Sequence, residues 1–150
     1  MSAGDPTPEQ NDRGLIRVVV GVDGSTDSDD ALAWAAREAR MCAAILEVVH
    51  ASVYRSALLE QFPEELAREK SILDRAIARA STLEPTIEVI GRSAEPPAAK
   101  ALIEISDDAD LLVVGSRGLG GFRELELGSV SQQCAQHARC PVVIVRPQQH

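Results

Sequence analysis

The chain has 150 residues, a length that fits one domain and allows a sizeable buried core. Lys and Arg number 15 against 23 Asp and Glu, and the formal net charge of −8 opposes binding to nucleic acid or to an anionic membrane surface. No apolar run approaches the roughly 20 residues that cross a bilayer, and the first residues lack the apolar segment of a secretory signal, so we expect a cytoplasmic protein.

The first half of the chain predicts a tail, two strands and two helices. Residues 1–14 have almost no large apolar side chains, so we expect a disordered N-terminal tail. A β-branched run from Leu15 predicts a buried strand that turns at Asp23-Gly24-Ser25, and a helix follows, capped by Ser25, Thr26 or Asp27. The next predicted elements are a strand over 45–51, an irregular or part-helical segment over 54–62 and a helix over 64–80.

The second half continues the alternation of strands and helices. The predicted elements are a short strand over 86–90, a helix over 98–106, a strongly apolar strand over 111–114, a glycine-rich loop, a helix over 129–138 and a last strand over 142–145. Such alternation is typical of a parallel sheet that is covered by helices on both faces.

The fold class follows from this order of elements. We expect one domain over 15–147, an α/β protein built as a three-layer α/β/α sandwich with an open, five-stranded, mainly parallel, Rossmann-like sheet. Ligands of such sheets bind at the carboxyl ends of the strands, near the point where the winding reverses. The loops after Val22, Val49 and Val114 are therefore expected to share one rim.

Three cysteines, Cys42, Cys134 and Cys140, are an odd number and include no Cys-x-x-Cys pair. This pattern indicates neither a disulfide framework nor a thiolate metal site. We expect reduced residues that pack in the fold, with a reactive thiol as the alternative.

A glycine-rich segment between the fourth strand and the last helix is the strongest functional signal. Its frame is Gly115, two residues, Gly118, nine residues, then Gly128-Ser129. Glycine allows a polyanion to approach the main chain and allows positive φ, and the free amides of a helix start at 129–131 attract anions. The frame predicts phosphate binding by backbone amides, with a ligand-free structural turn as the alternative. It is neither a Walker A loop nor a dinucleotide fingerprint.

Several landmarks together resemble one known family. These are the glycine frame, Val-Gly-Val-Asp-Gly-Ser at 20–25, Val-His-Ala at 49–51 and His-Ala-Arg-Cys-Pro-Val-Val-Ile-Val at 137–145. In this order they are similar to the ATP-binding branch of the universal stress protein family, over Leu15 to Pro147. The resemblance implies the adenine nucleotide alpha hydrolase-like form of the fold.

The resemblance also implies a nucleotide site. Asp23 matches the residue that faces the adenine, although capping of the next helix is an alternative role, and Ala51 matches a residue that lines the base or ribose pocket. Val114 and Gly115 match the wall beside the ribose. The phosphate-binding set is Gly118, Gly128, Ser129, Val130 and Ser131, where the two serines could add hydroxyl donors. Val22 and Arg117 complete the expected cofactor-binding residues.

The implied ligand is ATP, accompanied by Mg²⁺ or Mn²⁺ that is bound through the phosphates, because the chain shows no dedicated metal-ligand cluster. One departure from similar sequences concerns Glu124 and Glu126, whose carboxylates would oppose a triphosphate if they point inward. Arg117 and Arg123 could offset them.

We therefore expect a regulatory, stress-response, nucleotide-binding protein. No catalytic residue is identified, and His50 is interpreted as structural because it has no evident partner. The resemblance further implies a homodimer through the last strand, Val142–Val145, whose apolar edge would otherwise be bare. Two alternatives stay open: a slow ATPase or phosphoryl- or adenylyl-transfer enzyme, and a site for another adenosine ligand such as AMP or cyclic AMP.

Overall fold

Strands and helices alternate along the chain. The structure is a computed structural model, and it describes residues 15–117 and 127–147. The strands are β1 (Arg17–Gly21), β2 (Ile45–Ala51), β3 (Val89–Ala94), β4 (Leu111–Gly115) and β5 (Val142–Val145). The helices are α1 (Thr26–Cys42), α2 (Ser56–Leu59), α3 (Pro63–Leu83), α4 (Ala98–Ile105) and α5 (Ser129–His137).

The five strands form one parallel sheet in the order β3-β2-β1-β4-β5. The order runs outward from β1 to β3 on one side, and from β4 to β5 on the other, so the winding reverses between β1 and β4. A crevice at the carboxyl ends of these two strands is the usual ligand position in open α/β sheets. The fold prediction, with β5 at a sheet edge, is confirmed.

Two apolar layers enclose the sheet because successive side chains of a strand point to opposite faces. In β1, Val18 and Val20 are buried in the layer formed with α1 and α3, whereas Val19 lies in the opposite layer with Leu102 of α4 and Cys134 of α5. Small alanines on α1 allow that helix to pack closely on the sheet.

One charged side chain is buried in the sheet. Glu47 of β2 is only 1% exposed, and it forms ion pairs with Arg17 and, at 2.8 Å, with Arg92 of the edge strand. The two guanidinium groups compensate for its loss of hydration.

The element boundaries confirm most of the predictions and correct one. Ser25 caps α1, since its hydroxyl accepts a hydrogen bond from the amide of Ser28 at 3.2 Å. The third strand was predicted over 86–90, which is wrong, because β3 is Val89–Ala94. The apolar pattern ends at Ile90, but the backbone continues to pair with β2 up to Ala94.

Other predictions fall on residues that the structure does not describe. The tail over 1–14 lies outside the described residues, as do Gly118, Arg123, Glu124 and Glu126. Among the helices that are described, none has the length and apolar character that crossing a membrane requires.

Candidate functional site

A cavity of about 290 Å³ lies at the carboxyl ends of β1, β2 and β4, beside the point where the winding reverses. Ten residues that the sequence singled out line it: Val22, Asp23, Ala51, Val114, Gly115, Arg117, Gly128, Ser129, Val130 and Ser131. The eleventh, Gly118, lies outside the described residues.

Further wall residues were not anticipated. Val53 follows β2, and Ala98 and Leu102 belong to α4, which crosses over the rim. Leu102 was recognised only as an apolar position of a helix. Its place in the wall depends on the path of the crossover, for which the local sequence carries no signal.

The turn from β1 to α1 is held in shape by its own side chains. Oδ1 of Asp23 accepts a hydrogen bond from the amide of Ser25 at 2.9 Å, and the amide of Asp23 donates to the hydroxyl of Ser28 at 3.3 Å. Gly24 has φ of +85°, a conformation that L side chains rarely adopt. The Asp23 carboxylate therefore accepts the hydrogen bond that fixes the turn, whereas the Ser25 hydroxyl accepts the one that caps α1. The helix cap is Ser25 and not Asp23.

Hydrogen bonds join the end of β4 to the start of α5. The amide of Gly128 donates to the carbonyl of Ser116 at 2.7 Å. The hydroxyl of Ser131 is buried, at 3.1 Å from the carbonyl oxygen of Ser116 and 3.0 Å from that of Gly128. Because a hydroxyl has one proton, the Ser131 side chain donates within the protein and has no second proton to donate to another group.

The N-terminus of α5 borders the cavity. Gly128 is the N-cap, with φ of −67° and ψ of 165°, and as a glycine it has no side chain with which to cap the helix. The amides of Ser129, Val130 and Ser131 have no acceptor within the helix, and the helix dipole places partial positive charge at this end. The exposed Ser129 hydroxyl accepts from Nε2 of Gln133 at 3.0 Å, which leaves its own proton available for donation.

Gly115 and Arg117 connect the site to α1. A Cβ at Gly115 would lie 3.0 Å from the carbonyl oxygen of Asp27, so the close approach of α1 leaves little room for a side chain at this position. Nε of Arg117 donates to Oδ2 of the buried Asp27 at 3.2 Å. This carboxylate reduces the net positive charge that Arg117 brings to the cavity.

His50 contacts the backbone at the end of β1, next to the same rim. The ring is buried, with Nδ1 at 2.8 Å from the carbonyl oxygen of Val22 and Nε2 at 3.2 Å from Oε1 of Glu69 on α3. Both nitrogens are engaged in the protein interior, so the geometry gives His50 a structural role that holds the end of β1.

The three cysteines are free thiols. Burial, with a smaller contribution from Cys140, raises the pKa of Cys134 to about 11 from its ordinary 9.0. In the part of the chain that the structure describes, no three His, Cys, Asp or Glu side chains converge in a group that could hold a metal ion.

Comparison with known proteins identifies the family. A sequence model described as the universal stress protein family matches residues 16–146. The chain belongs to this family. A universal stress protein of Thermus aquaticus is 38% identical over 133 residues, which cover 86% of this chain and 97% of the relative. One from Mycolicibacterium smegmatis is 31% identical over 138 residues, or 85% of this chain and 47% of that protein. The chain spans about half the length of such mycobacterial relatives.

Solved structures of universal stress proteins share the fold. One in complex with cAMP is 33% identical, with a TM-score of 0.70 over 89% of this chain and 98% of that one. The protein from Archaeoglobus fulgidus in complex with dAMP is 21% identical, with a TM-score of 0.68 over 87% of this chain and 98% of that one. At that identity the likeness shows the fold alone.

Proposed function

We propose that this universal stress protein domain binds an adenine nucleotide in the rim cavity, that ATP is the ligand, and that the domain acts as a regulatory binding module. The observation that carries the proposal is a single juxtaposition. An apolar crevice at the reversal point of the sheet opens directly onto the N-terminus of α5, where the N-cap residue is a glycine.

The apolar part of the cavity suits a purine base. Small aliphatic side chains line this part and would cover both faces of a flat ring; they belong to Val22, Val49, Ala51 and Val114. None of these side chains has a polar group that the ring would leave without a hydrogen bond. Asp23 is the carboxylate among the described residues of the wall. Its Oδ1 already holds the turn, so recognition of the exocyclic amine of adenine is assigned to its second oxygen.

The polar end of the cavity suits phosphates. Three amides of α5 and the Ser129 hydroxyl would donate hydrogen bonds to phosphate oxygens. This set includes no lysine, so it can bind phosphate even in a chain whose net charge is −8. Gly118 belongs to the same proposed set. Mg²⁺ or Mn²⁺ would join through the phosphates and water, because divalent cations of this kind keep several waters in nucleotide sites.

A shorter ligand, AMP or cyclic AMP, is the second candidate. The relative that is 33% identical was solved in complex with cAMP. The cavity volume of about 290 Å³ is also at the lower end of the roughly 300–1,000 Å³ that is usual for small-molecule sites.

Calorimetric titration with ATP, AMP and cyclic AMP tests the proposal. In Gly128→Glu, side-chain bulk and negative charge enter the phosphate end, and we expect binding to weaken by at least tenfold. Gln136→Glu is the matched control, since it adds the same charge to an exposed position of α5 about 12 Å further along the helix. Equal heats from both variants, or no heat from the native protein with any adenosine ligand, would contradict the proposal.

We propose further that the protein is cytoplasmic, where adenine nucleotides are abundant. We also propose that it forms a homodimer in which β5 pairs with its copy in a second chain. Among the described residues β5 pairs with β4 on one side only. The carbonyls of Pro141 and Val145 accept from β4 and the segment after it, so the amides of Val142 and Ile144 point toward the outer edge.

Sedimentation velocity of Val142→Pro tests the proposed dimer. Proline is tolerated at the first residue of a strand, and here it removes an outward amide and places its ring at the edge. We expect the native protein to sediment as a dimer and the variant as a folded monomer. A native monomer, or a variant that remains dimeric, would refute pairing through β5.

A further inference from the structure

A second cavity, of about 220 Å³, lies between the first turn of α1 and the middle of α3. Gly24 and Asp29 line one side, and Arg75, Ala76 and Arg79 line the other. Val22 and Ser28 border both this cavity and the nucleotide cavity, so the turn from β1 to α1 is the partition between them.

The arginines of this cavity differ from most others in the described residues. Six arginines, Arg17, Arg40, Arg68, Arg92, Arg117 and Arg139, each lie within salt-bridge distance of a carboxylate. Within residues 15–117 and 127–147, neither Arg75 nor Arg79 has a carboxylate within 4.0 Å. Arg75 makes long contacts to Ser71, at 3.3 Å from its carbonyl oxygen and 3.4 Å from its hydroxyl.

Arg75 and Arg79 are exposed residues, four positions apart on α3, and both line the cavity. Residues four apart lie on one face of a helix, with Cβ atoms about 5–6 Å from one another. Two positive charges at this spacing on α3 repel one another, and an anion between them would offset the repulsion. The first turn of α1, on the opposite wall, brings the positive end of a helix dipole, which the carboxylate of Asp29 in the same turn partly offsets.

We propose that this second cavity binds a phosphate group, either free inorganic phosphate or a small phosphate monoester, through Arg75 and Arg79. The planar, multiple donors of guanidinium match the oxygens of a tetrahedral phosphate. The volume of about 220 Å³ is below the range that is usual for drug-sized ligands, which favours one phosphate group over a whole nucleotide. Asp29, on the opposite wall, is the internal competitor for the arginines.

Phosphate titrations followed by ¹H–¹⁵N NMR test this site on nucleotide-free protein at constant ionic strength. The amides of Ala76 and Arg79 report on the second cavity alone, whereas those of Ser129 and Val130 report on the first. Failure of the proposed nucleotide site would therefore leave the result at α3 readable. We expect saturable shifts at α3 with inorganic phosphate, and a parallel titration with methyl phosphate distinguishes a free from an esterified phosphate.

Four single substitutions make the test specific. We expect Arg75→Gln and Arg79→Gln each to weaken phosphate binding at α3 by about tenfold or more, and Asp29→Asn to strengthen it. Arg68→Gln removes the same charge from an exposed position of α3 that is outside the cavity, and should leave the affinity unchanged. The proposal is overturned if the α3 amides show no saturable shift, if Arg68→Gln weakens binding as much as Arg79→Gln, or if Asp29→Asn has no effect.

Discussion

Two serines of α5 are predicted to separate folding from binding. The Ser131 hydroxyl is buried and lies close to the carbonyl oxygens of Ser116 and Gly128, whereas the Ser129 hydroxyl is on an exposed residue at the mouth of the cavity. Replacement of each by alanine removes one hydroxyl from the same helix turn. We nevertheless expect Ser131→Ala to lower the free energy of unfolding and Ser129→Ala to lower the affinity for ATP.

The expected loss of stability for Ser131→Ala depends on the hydrogen bonds that the Ser116 and Gly128 carbonyls keep in the variant. The Ser116 carbonyl still accepts from the amide of Gly128 at 2.7 Å, and the Gly128 carbonyl still accepts from the amide of Gln132 at 3.0 Å. No buried acceptor is orphaned, so the loss is the net value of one hydrogen bond, about 0.5–1.5 kcal/mol. For a domain of this size that corresponds to a fall in Tm of roughly 2–4 °C per kcal/mol.

Ser129→Ala should show the opposite pattern. Its free energy of unfolding should stay within about 0.5 kcal/mol of the native value, as is usual for a surface position. Its affinity for ATP should fall by about tenfold, because a hydrogen bond to a charged group contributes about 1.5 kcal/mol or more. Urea unfolding and calorimetry measure both quantities for each variant. Unchanged stability in Ser131→Ala together with lost binding would refute the structural role given to its hydroxyl.

Three further changes have expected outcomes. Ala43→Gly should raise the free energy of unfolding by about 0.5–1 kcal/mol in urea titration, since Ala43 has φ of 54° at the end of α1, where glycine is favoured. Gly115→Ala should lower it by about 1–3 kcal/mol, because the new Cβ would crowd the main chain of Asp27. The pKa of Cys134 is about 11 in the folded protein, compared with an ordinary value of 9.0, so the folded state keeps the thiol proton up to a higher pH than the unfolded state does. Its contribution to stability should therefore be lost as pH rises from 9 to 11, a slope that Cys134→Ala should reduce.

The sequence was most informative where strands are buried on both faces. The runs that became β1, β2 and β4 are rich in valine, isoleucine and leucine, and such runs are typical of central parallel strands. The run of β5 is equally apolar, although that strand lies at the sheet edge and is mostly half-buried. β3 was misplaced because it is an exposed edge strand with Gly91, Arg92 and Ser93 at its centre. Backbone pairing with β2 defines it, and the pairing of Arg92 with the buried Glu47 adds a contact that no local pattern reports.

The site was predictable to the extent that it is built from backbone at strand ends and at a helix start. Glycines and serines mark those positions, and so Asp23, Gly115 and Gly128 could be placed near one rim from spacing and resemblance. Wall residues from crossing elements, such as Leu102 and Val53, could not, because their positions depend on how α4 and the segment after β2 pack across the sheet.

The glycine frame also has a structural cause that the spacing alone does not reveal. Neither Gly115 nor Gly128 uses a positive φ, so conformational freedom is not what these two positions require. At Gly115 the requirement is space for Asp27, whose carboxylate in turn pairs with Arg117. The first glycine of the frame therefore lets α1 approach β4, and that approach shapes the cavity before any ligand enters. Gly115 therefore belongs both to the proposed phosphate-binding frame and to the packing of α1 on β4, so variants at this position must be compared by stability and by affinity together.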